Sequence, residues 1–352
     1  MLAAGRCSLL TIGLALVLVG CAAPAAPAAS APPAADTTAP AQPATSAPEP
    51  AHLRVSVSAI NASMTPFWTG VDAGTFRQHG LDVEIVNFDG GPRGLAALLA
   101  GEVAFSLVNA TSVVDSRLSG GDPLMIGTVF DTYAFQIFGR PGLARPEDLR
   151  GKTIAVGVAR AAAEQATTDG LARFGLEPTR DYAMTYVGSN AARFALLEQG
   201  LVDAITLSPP TGVRAREAGW VEVLDITDLG LPYGLTMITT AESWAARNEA
   251  TVRAFLQGYV EALALAKRDQ PAAERAIARF SQESEPAVLD ETYRLSVPKM
   301  ADVPYVREDI VRAALASSEN PAAPTADVAK FYDNRYLRAL DDSGFIRQAY
   351  GR

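Results

Sequence analysis

Residues 96–120, AALLAGEVAFSLVNATSVVDSRLSG, and residues 195–219, ALLEQGLVDAITLSPPTGVRAREAG, spell one pattern twice. Each runs from an apolar helix end through a glycine and a short strand to a polar or proline-bearing turn. Gly101 answers Gly200 and Gly120 answers Gly219, and both pairs stand 99 residues apart. The same offset matches residues 53–59, LRVSVSA, with residues 152–158, KTIAVGV. A repeat on this scale predicts two similar α/β lobes, and a cleft between such lobes is where a small molecule binds.

Around the echo, apolar periodicity switches between two and 3.6 residues. Strands are expected at 53–59, 81–88 and 103–108, with helices at 67–78 and 93–100, Gly80 closing the first helix and Pro92 opening the second. The second half repeats this order: strand 152–158, helix 162–174, strand 184–187, helix 191–199, strand 202–207. The βαβαβ order predicts two doubly wound, Rossmann-like lobes with mostly parallel sheets. Residues 133–140 and 233–240 are β-branched and apolar, and are expected to cross between lobes as two hinge connections. The helix-rich remainder, with amphipathic stretches at 243–267 and 272–280, has no partner in the repeat and should complete the first lobe. The expected division is lobe one at 51–138 plus 240–352 and lobe two at 139–239.

The N-terminus reads differently. Arg6, the short apolar run 8–20 and small residues before Cys21 fit an export signal at 1–20 whose cleavage leaves Cys21 as an acylated first residue. The stretch to residue 50 is nearly all Ala, Pro, Ser and Thr, too poor in apolar bulk to fold, and reads as a disordered tether. Together these place a lipid-anchored module outside the cytoplasm, in the periplasm or at the outer face of a bacterial membrane. Over 352 residues the formal charge is −9 with no basic cluster, which argues against nucleic acid as a partner. No cysteine follows Cys21. Disulfides, thiol nucleophiles and Cys-bound metals are therefore excluded from the folded module, and His52 and His79 stand near no other ligand type at metal spacing.

Residues 66–108, with 147–156 (EDLRGKTIAV) and 331–337 (FYDNRYL), resemble the NMT1/THI5-like, or SsuA-like, solute-binding proteins of ABC importers. The resemblance implies the type 2 periplasmic-binding protein fold, no enzymatic activity and no cofactor. It implies a monomer whose partners are a small solute, of the sulfonate, nitrate-like or pyrimidine and thiamine-precursor class, and the permease subunits of a membrane transporter. A ligand-sensing subunit and a THI5-like pyrimidine-synthesis enzyme are the alternatives within the same fold. The chain departs from the family at Ala104, where an aspartate is usual, while the matching position keeps Asp203. The loop that opens lobe two reads Ala159-Arg160-Ala161-Ala162 where hydroxyl residues are common.

In parallel α/β sheets ligands bind beyond the carboxyl ends of the strands, so loops 61–65, 89–92, 109–111, 159–161, 188–190 and 208–211 are the expected working surface. The candidate contacts are Ser63, Thr65, Gly90, Gly91, Asn109, Ala110, Thr111, Ala159, Asn190, Ser208 and Pro209. Asn109 and Ser208 end equivalent strands of the two halves. Arg160 is placed either to clamp a carboxylate or sulfonate with both guanidinium edges or to pair with Glu164 one helical turn on. Trp68, Tyr133 and Tyr233 offer rings that either sandwich a flat ligand or pack beneath the cleft. The Gly90-Gly91 pair lacks the spacing of a nucleotide loop.

Overall fold

A computed structural model describes residues 50–88 and 90–352. The expected export signal at 1–20, Cys21, nearly all of the expected tether and Asp89 lie outside the described residues. From the start of the described chain the elements run β1 (Ala51–Val57), α1 (Thr65–Ala73), α2 (Thr75–Gln78), β2 (Leu81–Asn87), α3 (Gly91–Leu99), β3 (Phe105–Val108), α4 (Ala110–Leu118), β4 (Pro123–Thr132) and β5 (Gln136–Gly139). They continue with β6 (Thr153–Val156), α5 (Ala162–Ala172), β7 (Ala183–Tyr186), α6 (Asn190–Glu198), β8 (Ala204–Leu207), α7 (Thr211–Glu217), β9 (Val221–Asp225) and β10 (Pro232–Ala241). Helices α8 (Glu242–Arg247), α9 (Glu249–Arg268), α10 (Gln270–Ser281), α11 (Pro286–Ser296) and α12 (Glu308–Ala316) follow, and shorter helices end the chain.

Among the described residues, ten strands form two five-stranded sheets, ordered β2-β1-β3-β10-β4 and β7-β6-β8-β5-β9. The order is the same in both, and so is the register. Val55 pairs with Phe105 and Ile85 in the first sheet; Ile154 pairs with Ala204 and Met184 in the second, each residue 99 positions on. Gly101 and Gly200 take φ of +75° and +69°, the left-handed conformation that ends a helix at little cost only for glycine, which is why the echo keeps them. In each sheet the fourth strand runs antiparallel to both neighbours. The lobes are doubly wound as expected.

Three local expectations are corrected. The segments read as crossing strands each sit in one sheet, β5 wholly in the second and β10 wholly in the first. The chain changes sheet at 133–135 and 226–231, so the boundaries expected after 138 and 239 fall inside strands. The apolar runs mark interior strands covered on both faces: all four residues of β5 are buried, as are Tyr233 to Ala241 of β10. The helix expected over 67–78 is split at Gly74, and the loops expected at 109–111 and 208–211 run into helix starts, α4 at Ala110 and α7 at Thr211. Polar residues after a strand signal a turn and an N-cap alike.

The C-terminal helices cover the first sheet. Phe255 of α9 stacks on Phe105 of β3 at 4.1 Å between ring centroids and on Phe76 of α2 at 5.1 Å. Helix α9 thereby closes the apolar face that the repeat leaves open.

Candidate functional site

Between the two sheets lies a cavity of about 260 Å³, lined from the carboxyl ends of the strands of both. The first lobe contributes Ser58, Asn61, Gly90, Gly91 and Asn109; the second contributes Val158, Ser189, Asn190, Arg193 and Ser208. Phe135 of the first crossing and Leu235 of β10 add apolar wall.

Five helices aim their N-termini here. Their capping residues, Gly90 of α3, Asn109 of α4, Ala161 of α5, Ser189 of α6 and Pro210 of α7, all line the cavity. Only Ser189 caps its own helix, accepting from Ala192 N–H at 3.2 Å; the other four caps make no such side-chain bond. First-turn N–H groups carry the positive end of the helix dipole, so the cavity is biased toward negative charge. Among the described lining residues Arg193 is the one ionic side chain.

Arg193 is the residue that sequence reasoning missed. It is buried, on α6, and its Nε donates to Thr206 O at 2.8 Å. Nη1 donates to Val187 O at 3.0 Å and Gly188 O at 2.7 Å, and Nη2 donates to Asn190 Oδ1. The guanidinium thus ties the loop after β7 to β8. Its counterpart 99 positions earlier is Gly94, where an added Cβ would lie 3.1 Å from Ser106 Oγ and 3.2 Å from Ser56 Oγ. That mismatch in the repeat, a glycine answered by an arginine, was the available signal.

Of the candidate contacts, Gly90, Gly91, Asn109, Asn190 and Ser208 come together on the cavity. Ser63 stands one layer behind, donating from its hydroxyl to Asn61 Oδ1 at 2.6 Å, and Thr65 donates to Ala62 O. Ala110 and Thr111 are buried in the first turn of α4. The Pro209 carbonyl accepts from Ala62 N–H at 2.9 Å, joining the lobes.

The aromatic candidates do not reach the cavity. Trp68 is fully buried and stacks on Phe280 at 5.7 Å. Tyr133 and Tyr233 stack on each other at 4.1 Å, so each ring occupies the face a flat ligand would need. Tyr133 donates to Asp169 Oδ2 at 2.5 Å, and Tyr233 Oη accepts from Asn109 Nδ2 at 2.9 Å. Burial pushes both phenols well above their ordinary pKa.

Ala159 and Arg160 are exposed outside the cavity. The clamp reading of Arg160 is thereby corrected, and so is its side-chain pairing with Glu164, which takes the Arg160 backbone N–H instead. The guanidinium reaches into lobe one, to Asp115 at 2.6 Å and Glu319 at 2.8 Å. On the opposite rim Arg214 meets Glu283 at 2.6 Å and Arg216 meets Glu291 at 2.5 Å, so the lobes are drawn together on both sides.

Two expected outcomes follow from these rims. Arg160 is half exposed, and exposed pairs contribute only about 0.2–1 kcal/mol. Arg160→Ala should therefore weaken solute affinity a few-fold at low salt and less at high salt, measured by titration calorimetry across ionic strength. Glu283 is nearly buried, and burial alone would raise its pKa; Arg214 and the N–H groups of Glu285 and Ser284 outweigh that and hold it below the usual glutamate value. A lowered native pKa adds stability that is complete above the unfolded value and lost as pH falls through the native one. Glu283→Gln should therefore lower stability at neutral pH and flatten the acid limb of a stability profile followed by denaturant melts.

Comparison with known proteins gives these features a family setting. The NMT1/THI5 like family model matches residues 61–273. No curated protein sequence matches. Among solved structures, the alkanesulfonate-binding protein SsuA of Xanthomonas axonopodis pv. citri, bound to MOPS, superposes with a TM-score of 0.67 at 22% identity, covering 83% of this chain and 98% of that one. The aliphatic sulphonate binding protein SsuA of Escherichia coli gives 0.66 at 21%, covering 83% and 100%. The nitrate-binding protein NrtA of Synechocystis PCC 6803 gives 0.70 at 11%, covering 84% and 90%. These likenesses establish the type 2 periplasmic-binding protein fold. With both halves of the echo inside the matched stretch, this chain belongs to the NMT1/THI5-like family.

Proposed function

We propose that the protein is the extracytoplasmic solute-binding component of an ABC importer and takes a small organic anion between its two lobes. The observation that carries this reading is the set of five helix N-termini and one arginine around a single cavity, with no carboxylate among the described lining residues. Ile60, Phe135, Val158 and Leu235 line it too. That mixture suits a charged head with a short apolar body, the chemistry of the sulfonates that two of the neighbours bind, better than it suits bare nitrate. Closure follows from differential affinity: a solute held by donors of both lobes favours the arrangement in which both reach it. Acylation at Cys21 would hold the module at the membrane, the tether would let it reach a permease, and it acts as a monomer without chemistry of its own. His52 pairs with Glu84 and His79 with Glu261, both away from the cavity, which disfavours a THI5-like enzyme.

A thermal-shift screen of alkanesulfonates, aromatic acids, pyrimidines and nitrate tests the reading. An alkanesulfonate should give a stabilisation that grows with the logarithm of its concentration, about 2.7 kcal/mol at one hundred times its Kd. No shift with any member would overturn it. Palmitate labelling that survives Cys21→Ser would remove the anchor from the proposal.

A further inference from the structure

Two amides on the cavity wall have their orientation forced by groups that can only donate. Asn190 receives Arg193 on Oδ1, and a guanidinium has no lone pair to offer in return. Its Nδ2 must therefore face Ser208, and it donates to Ser208 Oγ at 2.9 Å. Ser208 is buried and lines the cavity, and with Oγ already accepting, its proton finds no acceptor among the described residues. In the opposite lobe Asn61 receives the Ser63 backbone N–H on Oδ1 at 3.0 Å and the Ser63 hydroxyl at 2.6 Å. A backbone N–H is as one-sided as a guanidinium. With the Ser63 proton on Asn61, Thr236 donates to Ser63 Oγ across 2.7 Å and keeps that hydroxyl in place. Asn61 Nδ2 has no partner among the described residues, although the residue is 6% exposed and lines the cavity.

We propose that the cavity reads an acceptor-only group through Asn61 Nδ2 of one lobe and the Ser208 hydroxyl of the other, with Ser63 and Arg193 as the positioning residues that fix those two donors. The inference rests on the reading of the cleft as an anion-binding solute site and adds a rule of selectivity to it. Helix dipoles favour any negative charge. Two donors of fixed polarity also reject a neutral group that carries its own N–H at that place, because a donor would then face a donor.

The test separates polarity from charge with three probes of one planar shape: propionate, nitroethane and propionamide. Nitroethane and propionamide are both neutral, and the amide carries an amino group where the nitro group carries its second oxygen. Titration calorimetry on the intact mature chain should rank nitroethane above propionamide by about tenfold or more, with propionate tightest. In Asn190→Asp the carboxylate accepts from both Arg193 and Ser208, the hydroxyl turns from the cavity, and the preference for nitroethane should disappear. Ser208→Ala should lose it as well, and supplies the answer if the first variant does not fold. Equal binding of the two neutral probes to the native chain, or a preference kept in Ser208→Ala, overturns the inference. Binding of an anion, propionate or ethanesulfonate, with neither neutral probe detected at millimolar concentration also overturns it and leaves the anion site standing. Binding of none of the three, nor of ethanesulfonate, removes the anion site and the inference together.

Discussion

Arg193→Ala is expected to unfold at a markedly lower denaturant concentration than the native chain and to bind no solute. Three backbone carbonyls, those of Val187, Gly188 and Thr206, lose a charged donor in a buried setting. A buried polar group left unpaired costs about 1–3 kcal/mol, so the loss of stability should be about 3 kcal/mol or more. Binding fails for two further reasons. The ionic side chain of the cavity wall is gone, and Asn190 is free to turn its amide over, which releases Ser208. Arg193→Lys separates the effects, since an ammonium keeps the charge but cannot span three carbonyls and an amide in one plane. It should recover part of the stability and little of the affinity. A loss below about 1 kcal/mol in Arg193→Ala would mean that the loop after β7 is held by other contacts.

The second large effect is expected at Gly90. Its φ of +91° with ψ of 146° belongs to a region that only glycine occupies without strain, and an added Cβ would lie 2.3 Å from Val158 Cγ2 across the cleft. Gly90→Ala therefore meets two penalties of different kind. Strain of about 1–3 kcal/mol falls on the folded chain whether the lobes are together or apart. The clash falls only on the closed arrangement, and should lower affinity at least tenfold, because a ligand that favours closure must then overcome it. Val158→Ala removes the offending methyl. The double variant should regain affinity while keeping the loss in thermal stability, and a double variant that regains neither would place the whole effect in backbone strain.

The fold was legible because its punctuation is chemical. Glycines at left-handed helix ends, Pro92 in a first turn and apolar alternation at fixed offsets each have one economical structural reading, and the repeat let each half check the other. The site was legible only where it lay on that framework: Gly90, Gly91, Asn109, Asn190 and Ser208 follow directly from strand ends. Arg193 was hidden because its partners are mostly carbonyls, which carry no residue identity, in a loop that approaches it only after folding. Trp68, Tyr133 and Tyr233 misled for the opposite reason. A ring near a loop looks the same whether it awaits a ligand or another ring, and here each had a partner in the chain. Arg160 drew attention as a cation beside a helix start; its acidic partners Asp115 and Glu319 lie 45 and 159 residues away.

The strand exchange between the sheets has a bearing on the order of assembly. β3 waits for β10, whose Thr239 pairs with Ser106 across more than a hundred intervening residues. As the chain is synthesised, the first three strands can associate, but their sheet keeps a raw edge until residues 232–241 have emerged, by which time all of the second lobe's strands have been made. The half that begins first is finished last. Pairing over such separations is slow, since the closure entropy must be met before the contacts form. A chain whose first lobe stays loose until residue 241 of 352 has been made is one that can still be threaded through a narrow channel for most of its synthesis.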